Sequence, residues 1–332
     1  MDRIVVIGAS GFIGRQLVRQ LQAAGHQVQV FIHRHDAWTQ SLPSEQIHRV
    51  DITDPGSLRG KFKGVDTVFH LAGALLARSA EGFHLVNAVG TENVARACAA
   101  CDSPPRLLFV SSLAALGPTT ADAPLDEDAD PKPVSGYGRS KLAAEQLLTA
   151  WADKLPISIV RPPSVLGPED RYMLGALQWA ARGWVLVPDS QQHRYSFTHV
   201  EDLCAAMIAV ANQGRRLSTD DPLRGCYHVA DRQSLTFAEL TNLVTEQLQR
   251  RRPRAVTIPR WLMQVAGVGG EVIDRIGFPR PFINRDKVRE AVAGSWICNA
   301  TKLHQQSLYT FPYSLTERVH QTVEGYRSAG KL

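Results

Sequence analysis

Nowhere in this 332-residue chain do apolar residues run together for the ~18 positions that a bilayer-spanning helix needs. No membrane-spanning segment is therefore expected. Cysteine is scarce, and five residues, an odd number, cannot close a disulfide framework. That points to a reducing compartment and a cytoplasmic location. A basic leader and a small-residue cleavage site are missing as well, because strand-like residues begin at Arg3, so no secretory signal is expected. Concentrated charge is also lacking. The net charge is +5 but dispersed, and its one tight group is Arg250-Arg251-Arg252-Pro253-Arg254. With no basic stripe or interleaved aromatics beside it, this group reads as a solvated turn, and no nucleic-acid partner is expected. His33, His35, His70, His193 and His199 lack the i, i+4 spacing with an acid that builds a metal centre, so no metal is expected. Cys98 and Cys101 form a C-x-x-C without a second pair and read as a small-residue helix face. The stretch WLMQVAGVGGEVIDRI (261–276) has helical periodicity, but its three glycines make it a poor membrane anchor. It reads as a helix packed within a smaller part of the protein.

What is present is an alternation. Strand signals at 3–7, 28–32, 47–50, 65–70, 106–110 and 157–161 are separated by helical periodicity at 12–24, 83–101 and 137–151. Strands alternating with helices imply a parallel sheet covered on both faces, with ligands at the carboxyl ends of the strands. After Arg161 the regularity breaks into helices near 172–182, 201–212, 236–249, 259–276 and 315–327. The expected organisation is a dinucleotide-binding domain over 1–165, returning to the sheet at about 196–231. A smaller, mostly helical substrate-binding part would comprise 166–195 and 232–332.

The chemistry begins at GASGFIG (8–14), three glycines between the first strand and the first helix. Such a turn offers helix N-terminal amides and a positive dipole end to a pyrophosphate, although a glycine turn alone is equally a tight loop that binds nothing. At YGRSK (137–141), Tyr137 and Lys141 lie four apart on one helical face. A lysine there would pull the phenol below its usual pKa of roughly 10 and make it a general acid/base. FVSSLAALG (109–117) sets Ser111 and Ser112 at a strand end, where a hydroxyl can hold a substrate oxygen.

Together with DITDP (51–55), HLAGA (70–74), NAVGT (87–91), RPPSVLGP (161–168) and FTHVEDL (197–203), these motifs resemble the extended short-chain dehydrogenase/reductase superfamily. That superfamily includes the NAD-dependent epimerases and dehydratases, 3β-hydroxysteroid dehydrogenases and dihydroflavonol reductases. The resemblance implies an α/β, Rossmann-type, doubly wound fold. It implies Ser112, Tyr137 and Lys141 as catalytic residues, with Glu145 as a structural ion-pair partner. Gly8, Ser10, Gly11, Phe12, Ile13 and Gly14 would hold the cofactor's pyrophosphate, and Asp51 and Ile52 would flank its adenine. Leu71, Ala72, Gly73 and Ser111 would line it, and Asn87 and Pro163 would sit near its nicotinamide half. His33 and Arg34, with no acid at the end of the second strand and Arg15 nearby, favour NADP over NAD. Ser164 stands where nucleotide-sugar epimerases usually carry asparagine, and Arg194 lies one place from their phosphate-binding arginine. With Leu75, Leu76, Leu113, Leu116 and Met173 as pocket candidates, the substrate expected near Leu75, Ser112, Leu113, Ser164 and Arg194 is a small, hydrophobic carbonyl or hydroxy compound. The expected activity is an NAD(P)-dependent reductase or dehydrogenase. The alternatives are a nucleotide-sugar epimerase or dehydratase with tightly bound NAD, and a silent dinucleotide sensor. Similar enzymes are commonly dimers, which allows a homodimer.

Overall fold

A computed structural model describes residues 1–188, 190–275 and 283–332. Its first half runs β1 (Arg3–Ile7), α1 (Phe12–Ala23), β2 (Gln27–Ile32), β3 (Ile47–Arg49), α2 (Pro55–Leu58) and β4 (Thr67–His70). There follow α3 (Ala80–His84), a π-helical turn (Leu85–Val89), α4 (Gly90–Ala99), β5 (Arg106–Val110), α5 (Gly136–Thr149) and β6 (Ile157–Arg161). The second half is less regular: β7 (Ser164–Leu166), α6 (Arg171–Ala181), β8 (Trp184–Pro188), β9 (Arg194–His199), α7 (Val200–Gln213) and β10 (Cys226–His228). It ends with β11 (Ser234–Thr236), α8 (Phe237–Gln247), β12 (Arg254–Ile258), α9 (Arg260–Arg275), α10 (Arg285–Ala291), α11 (Thr301–Gln305) and α12 (Leu315–Ser328). Ile276, expected at the end of α9, lies outside the described residues.

Seven strands pair in the order β10-β6-β5-β4-β1-β2-β3, and every pairing is parallel. Their near-continuous apolar runs suit strands buried on both faces. Alternate residues feed two cores: Val6, Phe69, Leu108 and Val160 on one side of the sheet, Val5, Val68, Phe109 and Ile159 on the other. From β1 the order runs outward in two directions, through β2 to β3 and through β4 to β10. The crevice where it divides opens at the carboxyl ends of β1 and β4, and Ile7 is paired with His70 there.

The return to this sheet is narrower than 196–231. Only β10 joins it, whereas β9 pairs with β7 and β11 in a separate three-stranded sheet. α6, α8 and α12 contribute to a third core around Leu177, Val244 and Tyr326. The short strands β8 and β12, unexpected in a mostly helical region, form a two-stranded parallel pair of their own.

Candidate active site

The three glycines meet three different constraints. Gly8 has φ +86°, a left-handed backbone, and a Cβ there would lie 2.7 Å from the Ala72 amide nitrogen. A Cβ on Gly14 would collide with the Gly8 carbonyl, so helix and strand approach as closely as they do only through glycine. Gly11 is free of such crowding, with only the Gly8 carbonyl at 3.3 Å. It is the N-cap of α1 and supplies no side-chain cap, which leaves first-turn amides open to an anion. Phe12 and Ile13 pack their side chains into the core, so only their backbone faces the turn. Ser10 gives its carbonyl to Arg15 Nε at 2.9 Å. The turn thus fits a dinucleotide pyrophosphate.

Beyond β2, His33 and Arg34 are exposed, and His33 Nε2 stands 3.7 Å from Asp51. Hydrogen bonds from the Thr53 hydroxyl and amide, at 2.7 and 2.9 Å, hold the Asp51 carboxyl below its ordinary range. Ile52 is buried, and its carbonyl accepts from Asn93 at 3.0 Å. One expectation needs correction. Arg15 is no free cation for an extra phosphate, because Asp36 binds it at 2.6 Å and Glu169 lies 3.6 Å away.

Leu71, Ala72 and Gly73 continue β4 past the glycine turn. Asn87, fully buried on the π turn, accepts the Ala74 amide at 2.6 Å and donates to the Ala74 carbonyl and to Ser140. Its carbonyl meets Thr91, whose hydroxyl also contacts His70 at 3.0 Å. A Cβ on Gly73 would sit 3.0 Å from Asn87 Oδ1 and 3.3 Å from Lys141 Nζ, so β4, the π turn and α5 converge on that glycine.

At the end of β5 the two serines part company. Ser111 is buried and donates to Glu145, which forms a buried pair with Arg161, 2.6 Å at its shortest. Its proton is therefore committed to Glu145, which pairs with Arg161 as the structural partner expected. Ser112 accepts the Ala114 amide at 3.1 Å and lies near enough to the Tyr137 phenol to oppose the rise of its pKa. Ser112, Tyr137 and Lys141 thus stand together at the carboxyl edge of the sheet.

Tyr137 does not titrate as expected. Burial pushes its phenol well above 10, with the Glu290 carboxylate adding to the rise and the Ser112 hydrogen bond opposing it. Lys141 gives no compensating pull. Its ammonium donates to the Val110 carbonyl at 2.8 Å and lies 4.8 Å from the Phe109 ring centroid, and burial lowers it to about 8.

Among the substrate candidates, Leu75 is exposed and Ser164 is half-buried where β7 begins; Pro163, expected near the nicotinamide, is half-buried just before it. Leu113 is corrected: it is core, packed with Leu116, Ala230 and Cys298. Arg194 is corrected too, since its guanidinium binds Ser234 and faces Glu239 at 3.4 Å. Among the described residues no three His, Cys, Asp or Glu side chains group as a metal site.

Sequence reasoning missed α10. Its Asp286 accepts the amides of Gly136 at 2.6 Å and Tyr137 at 3.1 Å, Glu290 accepts from Ser135 at 2.6 Å, and Lys287 Nζ lies 4.6 Å from the Tyr137 ring centroid. Nothing in RDKVREA marks it for that place, because the contacts span about 150 residues of chain. Beside it a cleft of about 260 Å³ is lined by Phe83, Gly136, Arg139, Asn284 and Arg289.

Residues 4–221 match the sequence profile of the NAD dependent epimerase/dehydratase family. The chain belongs to that family. As a member of it, the protein keeps its glycine turn, Asn87, Ser112, Tyr137 and Lys141 within the matched residues, while β11 to α12 lie beyond them. It is 30% identical over 334 aligned residues to a ceramide reductase of Caulobacter vibrioides, covering 99% of this chain and 96% of that protein. It is 28% identical to the human sterol-4-alpha-carboxylate 3-dehydrogenase (decarboxylating), covering 78% of this chain and 70% of that one. Among solved structures, the Thermus thermophilus UDP-glucose 4-epimerase in complex with NAD superposes with a TM-score of 0.75 at 22% identity, over 98% and 99% of the two chains.

Proposed function

We propose that this family member is a reductase or dehydrogenase that favours NADP and acts at a carbonyl or hydroxyl carbon of an apolar substrate. The observation that carries the reading is the buried Tyr137 phenol at the carboxyl edge of the sheet, close enough to Ser112 for that hydroxyl to hold its pKa down. Gly8, Gly11 and Gly14 would hold the cofactor's pyrophosphate, and Asn87 and Lys141 would lie near its nicotinamide. When bound, that nicotinamide supplies or accepts a hydride. Ser112 Oγ accepts from the Ala114 amide, and its proton, directed at the Tyr137 phenol, would turn to the substrate oxygen when one is bound. Tyr137 Oη, its pKa raised by burial, keeps its proton at neutral pH and donates it to that oxygen, which suits carbonyl reduction. Exposed Arg34 supports the NADP preference, and the engagement of Arg194 by Ser234 argues against a diphosphate-bearing substrate. The ceramide and sterol-carboxylate enzymes among its relatives support an apolar one.

The test is a titration of stripped protein with NADPH and NADH, followed by oxidation of the preferred one across a panel of long-chain ketones. Tyr137→Phe should cut turnover by roughly 10²–10⁴-fold while cofactor affinity stays within error. Equal loss of both would remove Tyr137 from the chemistry. NAD retained through purification, with nucleotide-sugar turnover and no net redox, would replace this reading with the epimerase or dehydratase one.

A further inference from the structure

Helix α9 carries Trp261, Leu262, Val265, Val268, Val272 and Ile273 at spacings that gather them on one side. In most amphipathic helices that side is buried. Here it faces outward: Trp261 is 66% exposed, Val265 59%, and the other four between 38% and 47%. The glycine side is the packed one. A Cβ on Gly267 would come within 3.1 Å of Val288 and 3.2 Å of Arg285, and one on Gly270 would collide with the Ile283 carbonyl. These glycines, which made the segment look unfit as an anchor, let α10 approach and leave the apolar stripe free. Glu271, away from the stripe, stands 3.7 Å from Arg285.

One arginine opens this helix, and three more stand at the start of β12, the strand before it. Arg251, Arg252, Arg254 and Arg260 are exposed, and none pairs with an acidic side chain among the described residues. Arg254 lies opposite Trp184, and Val256 opposite Leu186, on the β8–β12 pair. Trp184, Leu186 and Val256 are each at least 40% exposed. Exposed apolar side chains on α9 and on the β8–β12 pair, each segment led by exposed arginines, match the two attractions a negatively charged bilayer offers: burial of apolar side chains at the acyl boundary and Coulomb attraction to headgroups.

We propose that α9 and the arginine turn before it dock this protein on an anionic lipid surface, with α9 lying in the interface plane. The docking is independent of the reductase reading and is measured without cofactor or substrate. The probe is co-sedimentation of the full chain with phosphatidylcholine vesicles, with and without phosphatidylglycerol. Binding should require phosphatidylglycerol and weaken steeply with added salt. Trp261→Ser combined with Val265→Ser should lower vesicle affinity by roughly tenfold or more. Arg251→Glu with Arg252→Glu should abolish the phosphatidylglycerol preference, with thermal unfolding of both variants unchanged. Absence of vesicle binding, or binding that ignores both pairs of substitutions, overturns the proposal. So does light scattering that finds a dimer dissociated by the Trp261/Val265 pair, which would give the stripe to a second copy of the chain.

Discussion

Two helices begin at the carboxyl edge of the main sheet, and they begin in opposite ways. α1 starts at Gly11 with no side chain over its first amides. α5 starts under Ser135, which caps the Gly138 amide, and under Asp286, which takes the amides of Gly136 and Tyr137. Each start carries the same partial positive charge. At α1 that charge is left for a ligand, and at α5 it is satisfied by the protein's own carboxylate. Anion binding and side-chain positioning draw on the same physics. What separates them here is whether a distant segment has already filled the place.

The comparison can be broken most strongly with acid. The open start rests against β4, whose last residue, His70, is fully buried and held neutral, its pKa lowered to about 3 by burial and then by Lys141. Unfolding lets His70 titrate near its ordinary 6.5, so between that pH and about 3 the unfolded chain binds the extra proton. Stability therefore falls as pH drops through this window, by about 2 kcal/mol at pH ~5. Denaturant melts should show this slope, and His70→Gln should flatten it. An unchanged slope would discount burial of His70 as its source.

A smaller effect comes from making α1 resemble α5. Gly11 has an extended backbone, φ −73° and ψ 166°, which an L residue adopts without strain. Gly11→Asp should cap the helix and raise stability by a few tenths of a kcal/mol, while weakening dinucleotide binding by roughly tenfold. Calorimetric titration checks the second number, and unchanged affinity would mean that the α1 start is not the anion site. Least is expected from opening α5. Asp286→Asn keeps an acceptor but removes the charge, and should cost about 1 kcal/mol in urea melts, with turnover falling more than cofactor affinity. A loss confined to cofactor affinity would contradict the separation of the two starts.

How much of this was legible follows from how local each signal is. The sheet could be read because strands buried on both faces carry uninterrupted apolar runs, and the glycine turn because three glycines between a strand and a helix stand out in the letters, although Gly8 is crowded by Ala72, far along the chain. Ser112, Tyr137 and Lys141 could be read because a helix turn and a strand end bring them together. The titration of Tyr137 could not, since its burial and the nearby Glu290 charge depend on α10, brought from far along the chain. The family spacing already separates Ser112 from Ser111, but that Ser111 donates to the buried Glu145–Arg161 pair depends on partners far along the chain. In α9 periodicity reveals an apolar side but not its direction. The packing of Gly267 and Gly270 against α10 sets that direction.

The seating of α10 on α5 also bears on how such a protein can be recombined. The family match stops at residue 221, while the carboxylates that close the start of α5 come from residues 286 and 290. A chimera that grafts a foreign C-terminal segment onto this sheet therefore severs a join at the start of α5. Grafts that supply an acidic residue at each of those two positions preserve the seam. Grafts that lack them hand the exposed amides of Gly136 and Tyr137 to water, beside the tyrosine the whole arrangement shelters.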